Sequence, residues 1–106
     1  WGHAKDYVKA MWLILQHDTP DDFVCATGIS HTVEELVDYV FKKIELPNWK
    51  EFVGHDEKFY RPEELDVLKG DCSKAKKILG WEHEYTFETM IDYWLKEFNW
   101  KGELNE

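Results

Sequence analysis

Arg61 and Glu64 are the residues of this chain best suited to holding a ligand. A guanidinium presents a rigid fork of donors that suits phosphate oxygens, and it stays charged at any relevant pH. Pro62 fixes the backbone immediately after Arg61 and limits how that fork can be aimed. Glu64 lies three residues on, so from a turn or helical start both can face one ligand. A carboxylate there accepts hydrogen bonds from ribose hydroxyls or from the amino groups of a base. Composition alone favours a plainer reading, an exposed Arg–Glu pair worth very little.

Other combinations carry less. Tyr39 and Lys43 have Tyr-x-x-x-Lys spacing, which sets a Lys beside a phenol on one helix and could lower the phenol pKa. The apolar face of Val33, Leu36, Val37, Val40 and Phe41 turns Tyr39 to the flank, and the spacing reads as chance. His3, His17, His31, His55 and His83 are scattered without metal-ligand spacing, and capping explains His31 beside Glu34 and Glu35 better than a metal does. Lys74, Lys76 and Lys77 read as a solvated helix face. Cys25 and Cys72 form no Cys-x-x-Cys unit, so neither zinc nor a disulfide framework is expected. A reducing, cytoplasmic setting is the simplest reading. No catalytic residue and no metal site is expected in the chain itself.

The elements that must position Arg61 and Glu64 follow from the apolar pattern. Tyr7, Val8, Met11, Trp12, Ile14 and Leu15 recur at helical spacing between about Ala4 and Gln16. Phe23–Ala26 suits a short buried strand stopped by Thr27-Gly28. Thr32 with Glu35 predicts a capping box, hydroxyl and carboxylate each satisfying one backbone N–H. The helix it starts has one face of Val33, Leu36, Val37, Val40, Phe41 and Ile44, and Leu46-Pro47-Asn48 stops it. Trp49–Val53 reads as a second strand. Asp71 caps a short helix through Leu79, with Ala75, Ile78 and Leu79 inward and Gly80 at its end. Thr86 opens the last helix, with Phe87, Met90, Ile91, Trp94, Leu95 and Phe98 on its face.

A length of 106 residues fits one small domain. Lys and Arg number 13 against 22 Asp and Glu, a net charge of −9 that argues against a nucleic-acid or membrane-surface binder. Aromatic content of 16%, with six Trp, argues against disorder. The apolar run Met11–Leu15 is too short to span a bilayer. The fold class expected is α/β, a small mixed helix-rich lobe with few short strands. Residues 1–98 form the lobe and 99–106 a polar tail.

Several blocks then move the weight on Arg61. Trp1-Gly2-His3-Ala4-Lys5-Asp6-Tyr7-Val8, Ala26-Thr27-Gly28, His31-Thr32-Val33, Tyr60-Arg61-Pro62, Glu64, Asp66, Gly70-Asp71, Lys74-Ala75-Lys76-Lys77 and Leu79-Gly80-Trp81 occur in that order. In order and spacing they resemble the GDP-mannose 4,6-dehydratases, members of the extended short-chain dehydrogenase/reductases with a Rossmann-type lobe. The likeness runs to about Phe98. The first block and Tyr-Arg-Pro-x-Glu are its most specific parts, whereas Leu-Gly-Trp is widely shared.

The resemblance implies a lyase that converts GDP-mannose to GDP-4-keto-6-deoxymannose with tightly held NADP, on the route to GDP-fucose. It implies that Arg61 contacts the nucleotide diphosphate and Glu64 holds the ribose. NADP and the catalytic Thr, Glu and Tyr-x-x-x-Lys set would belong to a lobe upstream of Trp1, since no glycine-rich dinucleotide turn occurs here. A homodimer or homotetramer of the whole enzyme is implied, with this piece alone inactive, folded and prone to self-association. Glu34 where a basic residue is expected, Cys72 where proline is common, and a short segment between Leu46 and Tyr60 depart from the pattern without touching Arg61 or Glu64. The competing readings are a related nucleotide-sugar epimerase or dehydratase, and a non-catalytic acidic module that binds a nucleotide or a protein.

Overall fold

The computed structural model describes residues 1–46 and 48–98. Among the described residues there are three α-helices: α1 is Ala4–Gln16, α2 is Val33–Lys43 and α3 is Phe87–Glu97. Between α2 and α3 come 3-10 turns at Trp49–Glu51 and Glu57–Phe59 and a π-helix at Ala75–Leu79. The expected roles of Pro47, Trp100 and the 99–106 tail fall outside the described residues.

The α/β expectation is corrected: the described residues contain no strand. Phe23 and Cys25 do pack on the core while Val24 stays 56% exposed, the two-residue alternation of an extended chain. No backbone–backbone hydrogen bond forms there among the described residues, and a strand exists only by pairing with another. Trp49–Val53 instead closes a 3-10 turn, with Phe52 N–H donating to Trp49 O at 2.9 Å and Val53 N–H to the same oxygen at 3.0 Å. Such local i→i+3 closure needs no partner segment.

Helix starts follow local chemistry. Thr32 accepts from Glu35 N at 3.0 Å, but the reciprocal half of the expected capping box is missing. The Glu35 carboxylate is engaged by His31 Nδ1 at 2.7 Å instead. The reciprocal box forms at α3, where Thr86 Oγ1 accepts from Thr89 N and Thr89 Oγ1 from Thr86 N. Helix α2 ends in a left-handed residue, Glu45 at φ 66°, with Leu46 N–H on Phe41 O and Glu45 N–H on Lys42 O. That hydrogen-bond pair satisfies the last carbonyls, although glycine fits the position best.

The core is centred on Ala10, Cys72, Ala75 and Trp81, with Tyr7, Leu13, Phe23, Cys25 and Leu79 packed around it. Met90 and Ile91 of α3 are also buried. Helix α1 splits the apolar set counted in its sequence, with Tyr7 packed on the core and Ile14 half-buried. Ala10 and Asp6 are buried, whereas Val8, Met11, Trp12 and Leu15 are exposed. Ile78 also turns outward, at 45% exposure. The π turn admits an extra residue, so spacing counted at 3.6 per turn misplaces the side chains after it.

Asp6 fixes which side of α1 faces the core. Its carboxylate is 3% exposed and accepts from Glu84 N at 2.9 Å and Tyr85 N at 3.1 Å. Its own backbone oxygen accepts from the Trp81 indole at 2.8 Å. A buried carboxylate is tolerated when backbone donors satisfy it, and here it ties α1 to the segment leading into α3.

Candidate nucleotide-binding segment and groove

Arg61 and Glu64 lie in a stretch, residues 50–69, whose side chains are all exposed. Asp56 caps the turn Glu57–Phe59 by accepting from Lys58 N at 3.1 Å, and Tyr60 leaves it extended at ψ 137°. An extended residue before Arg61-Pro62 carries the chain outward. Arg61 Nε sits 3.4 Å from Glu64 Oε1, with the two side chains 77% and 60% exposed. The two residues singled out in the sequence are thus together. With Glu64 on Nε, the terminal guanidinium nitrogens are the part of the fork left to meet an anion. In water such a pair adds little stability, so the fork can exchange partners cheaply.

Three of the sequence blocks meet elsewhere. Trp1 and Tyr7, Ala26–Ile29, and Leu68–Gly70 line a groove of about 320 Å³. Gly70 permits this meeting, because a Cβ there would fall 2.6 Å from the Ala26 side chain. Gly28 supplies a left-handed turn at φ +75°. Lys69 brings a cation to the groove, and its lining includes no carboxylate and neither Arg61 nor Glu64. The blocks lie far apart along the sequence, and only the folded chain brings them to one wall.

His3 of the first block caps α1 by accepting from Lys5 N at 3.1 Å through Nδ1. Its ring is buried, stacked on Tyr85 at 4.2 Å and edge-on to Tyr93 at 4.6 Å. Its Nε2 has no hydrogen-bond partner among the described residues. Helix capping and aromatic packing account for His3 in this block without any ligand.

Tyr39 and Lys43 form a joint between helices. Tyr39 donates to Asp92 Oδ1 at 2.9 Å, and Lys43 Nζ stands 3.5 Å from the same oxygen. Burial, then the Asp92 carboxylate, pushes the Tyr39 phenol above its ordinary value, opposite to what a phenolate catalyst needs. His31, just before α2, stacks on Phe87 of α3 at 3.9 Å beside that joint.

A dinucleotide does not fit the residues present. Its pyrophosphate needs a glycine-rich turn opening a helix N-terminus. The starts of α1, α2 and α3 are instead occupied by His3, Thr32 and Thr86. Among the described residues no group of three or more His, Cys, Asp or Glu is arranged to hold a metal ion. No helix among them is long and apolar enough to cross a membrane.

The comparisons with known proteins agree with one another. The family model for GDP-mannose 4,6 dehydratase matches residues 1–93. GDP-mannose 4,6 dehydratase 2 of Arabidopsis thaliana is 50% identical over 97 residues, covering 92% of this chain and 26% of that protein. The Homo sapiens GDP-mannose 4,6 dehydratase is 46% identical, covering 86% of this chain and 29% of the relative. That of Sinorhizobium fredii (strain HH103) is 37% identical, covering 92% and 32%. The chain thus spans between about a quarter and a third of the relatives it matches. On its sequence this chain belongs to the GDP-mannose 4,6 dehydratase family.

Proposed function

We propose that this chain is the substrate-gripping part of a GDP-mannose 4,6-dehydratase, a lyase, and that residues 1–98 act as one lobe with 99–106 as a tail. Arg61 holds the diphosphate and Glu64 a ribose hydroxyl. The observation that carries the reading is the Arg61–Glu64 pair, held 3.4 Å apart on an exposed segment in a family member. A diphosphate offers several oxygens to the terminal nitrogens of the fork, and Glu64 then turns to the sugar. The chain's contribution is orientation, because a fixed nucleotide sugar meets its reaction partner at far higher effective concentration.

The conversion of GDP-mannose to GDP-4-keto-6-deoxymannose belongs to the whole enzyme. NADP supplies the hydride acceptor and donor there, held outside this chain, and the isolated chain turns nothing over. The whole enzyme is a cytoplasmic homodimer or homotetramer in this reading. Free Cys25 and Cys72 support the reducing location.

Calorimetric titration with GDP, GDP-mannose and UDP-glucose tests the proposal. GDP and GDP-mannose are expected to bind with similar affinity, and UDP-glucose more weakly. Arg61→Ala is expected to weaken GDP by roughly tenfold or more, the range for a charge-assisted hydrogen bond. A preference for UDP-glucose, or an unchanged GDP affinity in the variant, overturns it.

A further inference from the structure

Cys25 and Cys72 share no spacing motif, yet the fold brings their surroundings together. Cys72 belongs to the core centre at 6% exposure, and Cys25 packs half-buried against that centre. The run through Cys25 lies along the chain that leads into the π turn. A Cβ on Gly70 would fall 2.6 Å from the Ala26 side chain and 3.4 Å from Val24 Cγ1, the two neighbours of Cys25. A Cβ on Gly28 would stand 3.9 Å from the Cys72 sulfur itself. Cys25 therefore enters the core from a strip that touches both Gly70 and Cys72. Both thiols are free.

We propose that Cys25 and Cys72 form an oxidation-sensitive pair, reduced at rest and joined by hydrogen peroxide into a disulfide that pins two walls of the groove together. Cys25 is the more exposed sulfur and reacts first. Peroxide oxidises its thiol to a sulfenic acid and is itself reduced to water. The Cys72 thiol then attacks that sulfur, expelling the hydroxyl as a second water and leaving the S–S bond. Burial, then the Cys72 sulfur, holds the Cys25 thiol above its ordinary value, so it stays protonated and waits for sustained oxidant. A disulfide needs the two Cα atoms within about 7 Å. The Phe23–Ala26 run can shift to meet that demand, because no backbone–backbone hydrogen bond anchors it among the described residues. Ala26–Ile29 and Leu68–Gly70 line the groove beside the two sulfurs, so the bond ties them to each other. The loop it closes takes in α2 and all of residues 50–69, which removes freedom from the unfolded chain. The pair stands independently of the ligand assigned to Arg61.

The test treats the full chain with hydrogen peroxide, unfolds it in denaturant, alkylates it and maps the peptides. The expected product has neither cysteine alkylated and yields a linked pair of peptides, one holding Cys25 and the other Cys72, that dithiothreitol separates. The oxidised chain should melt about 5 °C or more above the reduced one, a gain that dithiothreitol reverses. Cys25→Ser should abolish the linked peptides and leave Cys72 open to alkylation, and Cys25→Ala repeats that test without placing a hydroxyl at the core. Both cysteines still alkylated after peroxide, a disulfide formed only between chains, or Cys25 carried on to sulfinic acid with Cys72 still free would each overturn the proposal.

Discussion

The Asp6–Trp81 clamp and the segment around Arg61 are built on opposite terms. At the clamp, Trp81 is fully buried, Asp6 is 3% exposed, and three hydrogen bonds join residues 75 to 79 positions apart. Around Arg61 every side chain from 50 to 69 is exposed, and the hydrogen bonds there among the described residues span four residues or fewer. The first region fixes the lobe, and the second leaves a charged pair ready to exchange partners. The proposed ligand role of Arg61 and Glu64 suits that contrast, because binding groups are commonly placed on loops carried by a rigid scaffold.

The largest expected break in that contrast is Trp81→Ala. Removing a fully buried indole should cost about 3–5 kcal/mol, read by denaturant unfolding. Asp6→Ala strands the amides of Glu84 and Tyr85, each unpaired donor costing about 1–3 kcal/mol, and Asp6→Asn should cost less because one acceptor oxygen remains. Glu45→Gly should move the other way, raising stability by about 0.5–1 kcal/mol in the same assay, since glycine adopts the left-handed φ of 66° without strain.

A smaller effect lies at the α2–α3 joint. The Tyr39 phenol is raised above its ordinary 10.0, chiefly by burial and then by Asp92. Its protonated form is therefore the one the fold favours. That stability is complete below pH 10.0 and fades as pH climbs through the raised folded value. Tyr39→Phe should flatten the alkaline limb of a melting-temperature profile, and an unchanged limb would show that the Asp92 bond carries no linkage. At the small end, Arg61→Ala should shift stability by no more than about 0.5 kcal/mol.

What the sequence revealed divides along the range of the interactions. Thr32, Thr86 and Gly80 announced their helix ends because capping acts within a few residues. The side of α1 that meets the core was not marked in the sequence, because its apolar residues lie on both sides. What decides between them is Asp6 meeting the amides of residues 84 and 85, a contact no local pattern encodes. The strands failed for the same cause: Phe23–Ala26 has the pattern but no pairing partner among the described residues, and Trp49 closed a local turn first. Ile78 went astray through the π turn. The proposal for Arg61 and Glu64 rests on resemblance, since their chemistry alone describes any surface ion pair.

The most direct measurement is to follow GDP affinity and melting temperature side by side in the chain and its Arg61→Ala variant. The expected result is an unchanged melting temperature with GDP binding weakened roughly tenfold or more. GDP binding that survives the substitution intact would contradict the division of labour between clamp and segment.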